Sequence, residues 1–245
     1  MTTNKCVSSI KEDSGSGLTA LDYSPDGRMF AVGGEDTHVY LYDEGTRQKI
    51  TTMAPGSGNF PGHSSRIFAV KFHPDNSNVL VSGGWDRTLQ IYDVRQSKVI
   101  ASIFGPQLSG DSLDIFGDMI VTGSNRQKDV MQMFSLSKHQ LVQTFDYDIT
   151  KKDLESGFVL GARFSQPHPD LIFAGGAGRN ELKIFENNID GSGSMRIMAT
   201  LNELESAVLS IDVSRNGDFC IGCQNGEIYV MSYKIDDLAG DFEGY

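Results

Sequence analysis

Five copies of one segment pattern occupy most of the 245-residue chain and limit what it can fold into more than any other feature. Each copy holds three short runs of alternating apolar residues, and turn residues such as Pro-Asp-Gly separate the runs. The positions that close the third runs are 50, 42, 51 and 46 residues apart: Tyr42, Tyr92, Phe134, Phe185 and Met231. A period of about 40–45 residues with several short strands per repeat predicts an all-β protein built from similar sheets.

The second copy shows the strand pattern most clearly, with runs at residues 70–75, 79–84 and 89–93. Alternation places one set of side chains on each face of a sheet. A fourth, outer strand is predicted after each third run, for example at residues 48–53, 98–103 and 140–145, so that each unit has four strands. The predicted four-stranded units lie near residues 14–53, 62–105, 106–147, 156–201 and 202–233 of a single domain. Residues 1–13 are a candidate closing outer strand, and residues 234–245 form an acidic tail.

The second copy also resembles the WD-repeat family. It contains Gly62-His63, Ser82-Gly-Gly-Trp-Asp86 and Ile91-Tyr92-Asp93, which are close to the Gly-His, Ser-Gly-x-x-Asp and Trp-Asp signatures of that family. The resemblance extends over residues 14–233 and implies a WD40-like β-propeller with five recognisable blades. Because the family norm is seven blades, two interpretations stay open: a closed five-bladed ring, or an incomplete seven-bladed ring.

The resemblance further implies a hydrogen-bonded set that stabilises a blade, made of a loop histidine, a strand serine, a turn aspartate and a third-strand aromatic residue. The second copy supplies all four members: His63, Ser82, Asp86 and Tyr92. Asp36 keeps the turn aspartate in the first copy. The third and fourth copies carry inserted residues at that turn, so their blades are expected to depend on packing.

Candidate partner-binding residues follow from the same resemblance. In WD-repeat proteins, the place before the turn aspartate and the start of each first strand line the top face, where peptides dock. The residues predicted there are Trp85, Arg66, Phe68, Phe158, Leu160 and Glu35, with Thr19 and Leu209 at equivalent positions. Exposed aromatic and arginine side chains dominate binding energy at interfaces. Local packing of these side chains is the alternative interpretation.

Charge and motifs argue against several other functions. The chain has 21 Lys and Arg against 32 Asp and Glu, and its net charge of −11 opposes binding to nucleic acid or anionic membranes. Cys220 and Cys223 have the spacing of a metal motif, but residues three apart on a strand point to opposite faces. No second cysteine pair completes a zinc site, and the five histidines show no metal-ligand spacing. No catalytic residue, metal or cofactor is therefore predicted.

These observations predict a non-catalytic scaffold or adaptor that binds other proteins or peptides. The alternative is a propeller enzyme with acidic residues at the mouth of its channel, although the sequence shows no paired acidic motif at a recurring blade position. An open array of blades would expose strand edges, so a partner or a second copy is expected to cap it. Three cysteines cannot all pair, which favours an intracellular, cytoplasmic location, with the nucleus or a cytoskeletal or ciliary assembly as alternatives.

Overall fold

The computed structural model describes residues 6, 8–54, 60–145, 147, 158–187 and 195–233. Within these residues the chain forms five antiparallel sheets, which we call blades 1 to 5 in chain order. Blade 1 contains β1 (Leu18–Tyr23), β2 (Met29–Gly34), β3 (Val39–Asp43) and β4 (Lys49–Thr52). Blade 2 contains β5 (Ile67–His73), β6 (Asn76–Gly84), β7 (Thr88–Asp93) and β8 (Lys98–Phe104).

The remaining blades repeat this arrangement. Blade 3 contains β9 (Leu113–Phe116), β10 (Met119–Gly123), β11 (Met131–Ser135) and β12 (Gln140–Phe145). Blade 4 contains β13 (Phe158–Phe164), β14 (Leu171–Ala177), β15 (Leu182–Asn187) and β16 (Met195–Leu201). Blade 5 contains β17 (Val208–Val213), β18 (Asp218–Cys223) and β19 (Ile228–Ser232), and a fourth strand is not found among the described residues.

This architecture confirms the predicted all-β propeller with five blades. The outer strands expected after the third runs of the first three copies are present as β4, β8 and β12. The acidic tail, most of the loop at 54–62 and most of the loop at 186–194 lie outside the described residues.

The first strand of each blade is the innermost one. β1 packs against β5, β5 against β9, β9 against β13, and β13 against β17, so these strands line the central axis. An apolar cluster fills each junction between successive blades: Leu41 and Ile67 belong to the first, and Phe173 and Ile221 to the last. The core therefore contains four layers that are each shared by two blades, and a fifth buried cluster of Phe30, Val32, Tyr40 and Tyr42 lies within blade 1.

Blade 5 and blade 1 do not share such a layer among the described residues. Leu21 and Tyr23 of blade 1 are 56% and 49% exposed, and Ile228 and Val230 of blade 5 are 74% and 75% exposed. The described blades therefore form an open array, in which one face of blade 5 is free and the outer face of blade 1 is partly exposed.

The described part of the candidate closing strand lies against blade 1. Residues 8–13 adopt no strand conformation. Glu12 is buried, accepts a hydrogen bond from the Tyr42 hydroxyl and pairs with Lys49 Nζ at 2.5 Å. Residues 1–5 and 7 of this predicted strand lie outside the described residues.

Candidate partner-binding surface

A β-bulge near the start of the innermost strand recurs in four blades. In each case one residue is skipped in the pairing with the second strand of the blade. The skipped residues are Thr19, Phe68, Leu160 and Leu209. A bulge bends the strand and redirects a side chain out of the regular alternation. All four residues were predicted on the top face. The bulge is the backbone feature that they share and that their neighbours on the strand lack.

A glycine at the end of the second strand makes room for this bulge in blades 1 and 2. Gly84 faces the backbone of Arg66 so closely that a Cβ at Gly84 would collide with the Arg66 carbonyl oxygen. The next residue, Trp85, donates its backbone N–H to that same oxygen at 3.1 Å. Gly34 and Glu35 form the equivalent arrangement with Gly17 in blade 1. The backbone therefore places Glu35 and Trp85 at matching positions on adjacent blades.

The structure brings Glu35, Arg66, Phe68 and Trp85 together at the junction of blades 1 and 2, and we call this group the Trp85 surface. The Arg66 guanidinium lies 5.1 Å from the centre of the Trp85 ring and 3.5 Å from Glu35 Oε1. The Phe68 and Trp85 rings are 5.7 Å apart. Trp85 is 41% exposed, and the Arg66 and Glu35 side chains are 43% and 48% exposed. The cluster is thus held in place and still accessible.

The other two predicted binding residues lie on blade 4. Phe158 is 43% exposed, and Leu160 is half-buried beside Gly110 in the segment that enters blade 3. Among the described residues, no ring contact joins Phe158 to the Trp85 surface. The structure therefore separates the six predicted residues into a compact group on blades 1 and 2 and a pair on blade 4.

A buried hydrogen-bond chain lies directly below the Trp85 surface. His63 Nδ1 contacts Asp86 Oδ2 at 2.8 Å, and His63 Nε2 contacts Ser82 Oγ at 2.7 Å. Ser82 Oγ donates to the Tyr92 hydroxyl at 3.1 Å. The structure thus joins the four residues that the family resemblance assigned to this role. Because Asp86 follows Trp85 directly, the chain fixes the turn that carries the tryptophan.

The charge of Asp86 contributes to this arrangement. Burial would raise the pKa of Asp86, but hydrogen bonds from His63 and the Ser64 N–H outweigh that effect and hold the pKa below its usual value. A carboxylate with a lowered pKa stabilises the folded state above its unfolded pKa, and this contribution disappears as the pH falls through the folded pKa.

We therefore expect Asp86→Asn to destabilise the protein by a constant amount between about pH 5 and pH 7. The difference from wild type should shrink as the pH falls below the unfolded-state pKa of about 4 and through the lower folded-state pKa, where the wild-type carboxylate becomes protonated. Urea unfolding of both proteins across this pH range measures the difference, and a gap that widens toward acid pH would contradict the assignment.

Blade 1 uses its turn aspartate differently. Asp36 accepts a hydrogen bond from the Tyr40 hydroxyl at 2.7 Å, whereas the Tyr42 hydroxyl donates to Glu12. Ser14 stands where blade 2 has His63. The turn of blade 1 is therefore stabilised by a more exposed set of contacts than the turn of blade 2.

Blades 3 and 4 bury large apolar side chains at the corresponding places. Phe134 and Phe185 are 0% and 1% exposed. In blade 4 the Lys183 ammonium donates to the Tyr147 carbonyl at 2.8 Å and pairs with Glu181 at 3.1 Å. Blades 3 and 4, which carry the inserted turns, thus have a packed aromatic side chain at this place. Blade 4 also has the buried Lys183 and its partners instead of a set centred on a histidine.

The sequence interpretation missed a row of charged residues on the innermost strands. Asp22, Lys71, Asp114, Arg163 and Asp212 occupy the same position in the five blades. Aligning the five first runs reveals the row, so acidic residues do recur at one blade position, contrary to the sequence interpretation. They alternate with basic residues around the axis.

Contacts within this row join adjacent blades. Asp22 Oδ2 accepts from the Phe72 N–H at 2.8 Å, and Lys71 Nζ lies 3.6 Å from Asp22 Oδ1. Asp114 accepts from the Phe164 N–H at 2.9 Å. Burial raises the pKa of both aspartates, with the nearby basic residues acting in the opposite direction. These carboxylates are therefore engaged in linking blades.

The remaining candidates for chemistry show no assembled site. Cys220 and Cys223 are free thiols, and the strand pairing places them on opposite faces of blade 5. No cluster of His, Cys, Asp or Glu suited to a metal ion occurs in the part of the chain that the structure describes. In that same part, we find no helix with the length and apolar character needed to span a membrane.

Fold and surface together define a β-propeller with an exposed aromatic and arginine cluster at one end of its blades. Comparison with known proteins agrees: the sequence model described as WD domain, G-beta repeat matches residues 4–43 and 57–93. Two segments of this chain, within the first two blades, are thus similar to the WD repeat.

Several curated proteins are similar to parts of the chain. A guanine nucleotide-binding protein subunit beta of Oryza sativa subsp. japonica is 27% identical over 64% of this chain and 41% of its own length. Pre-mRNA-processing factor 19 of Caenorhabditis elegans is 29% identical over 69% of this chain and 31% of its own length. WD repeat-containing protein 1 of Gallus gallus is 32% identical over 35% of this chain and 13% of its own length. The chain thus spans less than half the length of these relatives.

Proposed function

We propose that this protein is a non-catalytic scaffold that binds a partner protein or peptide through the Trp85 surface. The observation that carries the proposal is the accessibility of a fixed aromatic and arginine cluster. Trp85 is 41% exposed although it contacts both Phe68 and Arg66. Side chains of this kind, held in place before binding, lose little conformational entropy when a partner docks.

The position of the cluster supports the same function. Arg66 connects the turn of blade 1, through Glu35, with the turn of blade 2, through Trp85. A partner seated here would contact two blades at once, above the buried chain centred on His63. Phe158 and Leu160 on blade 4 extend the proposed binding face.

The enzyme alternative receives less support from the described geometry. The axial carboxylates alternate with Lys71 and Arg163 and accept hydrogen bonds from neighbouring strands. Through these contacts the axial aspartates link neighbouring blades.

We also propose an intracellular, cytoplasmic location. Its support is that Cys6, Cys220 and Cys223 are all free thiols, which suits a reducing compartment.

The Trp85 surface can be tested with a double substitution. We expect Trp85→Ala combined with Phe68→Ala to weaken binding of a purified partner by about 30-fold or more, since truncating interface hot spots costs at least about 2 kcal/mol. The partner is first recovered with the wild-type chain, and its affinity is then measured by calorimetry.

Phe104→Ala is the matched control for this experiment. Phe104 is 70% exposed on the outer strand of the same blade, where it pairs with Thr88 and is not part of the Trp85 surface. Affinity should be unchanged in the control. Equal affinity of the folded double variant and the wild-type chain would rule out the proposed surface.

A further inference from the structure

Blade 5 has one face that packs on blade 4 and one that is free. On the free face, Asp212, Cys220 and Val230 form one row across the strands. Ser210, Gly222 and Ile228 form the adjacent row. Ile228 and Val230 are branched apolar side chains on β19, the edge strand of this blade among the described residues, and they are 74% and 75% exposed.

The equivalent face is covered in blade 1. Strand pairing shows that Val39 and Leu41 occupy the places of Ile228 and Val230. Val39 and Leu41 are 1% and 2% exposed because blade 2 packs on them, with Ile67 in the shared cluster. The free face of blade 5 thus has apolar side chains at the same positions as a face on which the next blade packs.

The axial aspartates show what such a following blade contributes. Asp22 accepts from the Phe72 N–H of blade 2, and Asp114 accepts from the Phe164 N–H of blade 4. In each case the residue preceding the donor is basic: Lys71 and Arg163. A backbone N–H together with a cation therefore recognises the aspartate of the preceding blade.

Asp212 is the aspartate of this series for which the described residues contain no following blade. It is exposed, and its Oδ1 accepts a hydrogen bond from the adjacent Val213 N–H at 3.0 Å. Within the described residues, no N–H from another blade reaches it. Its row on the sheet also contains the exposed Val230. An acceptor and an apolar patch thus occur together on one uncovered face.

We propose that the free face of blade 5 binds a β-blade of a partner protein whose innermost strand presents Lys or Arg opposite Asp212. The apolar side chains of that blade cover Ile228 and Val230, and its backbone N–H binds the Asp212 carboxylate. The contact continues the blade-to-blade interface seen between blades 1 and 2 and between blades 3 and 4.

Charge argues against a second copy as the occupant. Blade 1 of another copy would bring Asp22 opposite Asp212, and blade 5 of another copy would bring two Asp212 carboxylates together. Like charges facing each other across an interface destabilise it. The net charge of −11 adds long-range repulsion between copies. A basic innermost strand satisfies Asp212, whereas an acidic one does not.

A fusion protein tests this proposal with a blade of known chemistry. A second copy of residues 62–105, which contains Lys71, is joined through a flexible linker to Tyr245 of the full chain. We expect amide hydrogen exchange in residues 228–232 to slow by about tenfold relative to the unfused chain, because covering the face suppresses local opening.

Two charge variants provide the matched controls. Lys71→Glu in the appended copy alone should abolish the added protection, and combining it with Asp212→Lys should restore that protection. Exchange in blade 1, which the fusion does not duplicate, verifies that each fusion is folded. Equal protection with the basic and the acidic copies, or protection in neither the original fusion nor the charge-reversed pair, would overturn the proposal.

Sedimentation of the unfused chain tests the competing occupant. We expect a monomer. An oligomer that Val230→Asp dissociates would identify a second copy on this face and would overturn the proposal. The Trp85 surface lies on blades 1 and 2, so neither measurement depends on the proposed function.

Discussion

Replacing Phe173 by alanine is expected to lower the free energy of unfolding by about 3–5 kcal/mol, the usual cost of removing a buried phenylalanine. Phe173 is 0% exposed in the layer between blades 4 and 5. Its ring lies 4.9 Å from the ring of Phe219 and 5.4 Å from that of Tyr233. Since blade 5 packs on a neighbouring blade through one face, a cavity in this layer removes support that the rest of the array does not replace.

Thermal unfolding and hydrogen exchange distinguish this effect from general destabilisation. Exchange should increase most in β17–β19, and the outer strand of blade 2 should change least. Phe104→Ala supplies the control, because Phe104 is 70% exposed and its removal should change stability by less than about 0.5 kcal/mol. Equal stability losses for the two variants would contradict the assigned packing.

Replacing His63 by alanine should lower the free energy of unfolding by about 2–4 kcal/mol. The His63 side chain is 0% exposed and contacts both Asp86 and Ser82. Its removal leaves a buried carboxylate and a buried hydroxyl without their imidazole partner, and an unpaired buried charge is costly. Chemical denaturation measures the loss.

Asp36→Ala is the matched control in blade 1. Asp36 occupies the same turn position as Asp86, but its partners are the Tyr40 hydroxyl and the His38 N–H in a more exposed setting. The expected loss is about 1 kcal/mol. A larger loss for Asp36→Ala than for His63→Ala would show that the buried chain of blade 2 does not have the assigned importance.

The repeat predicted the fold because the alternation and the turn residues are local signals. The outer strands β8 and β12 could be located from their own alternation, and the His63 set from one well-preserved copy. The outer strand of blade 4, β16, was less evident because it follows the loop at residues 186–194.

The arrangement of the candidate site was less predictable. The bulges at Phe68 and Leu160 depend on pairing between strands, which no local pattern reveals. The pairing of Arg66 with Glu35 depends on how two blades adjoin. The axial charge row was visible in the sequence, but its meaning required knowing that Lys71 lies beside Asp22 across the blade junction.

Site-specific photo-crosslinking tests the central claim most directly. Benzoylphenylalanine at position 85 keeps an aromatic side chain in the Trp85 surface, and the same residue at position 104 serves as the reference. The proposed scaffold predicts a covalent adduct with the bound partner from position 85 and none from position 104. An adduct from position 104 alone, with both proteins folded and bound to the partner, would contradict the claim.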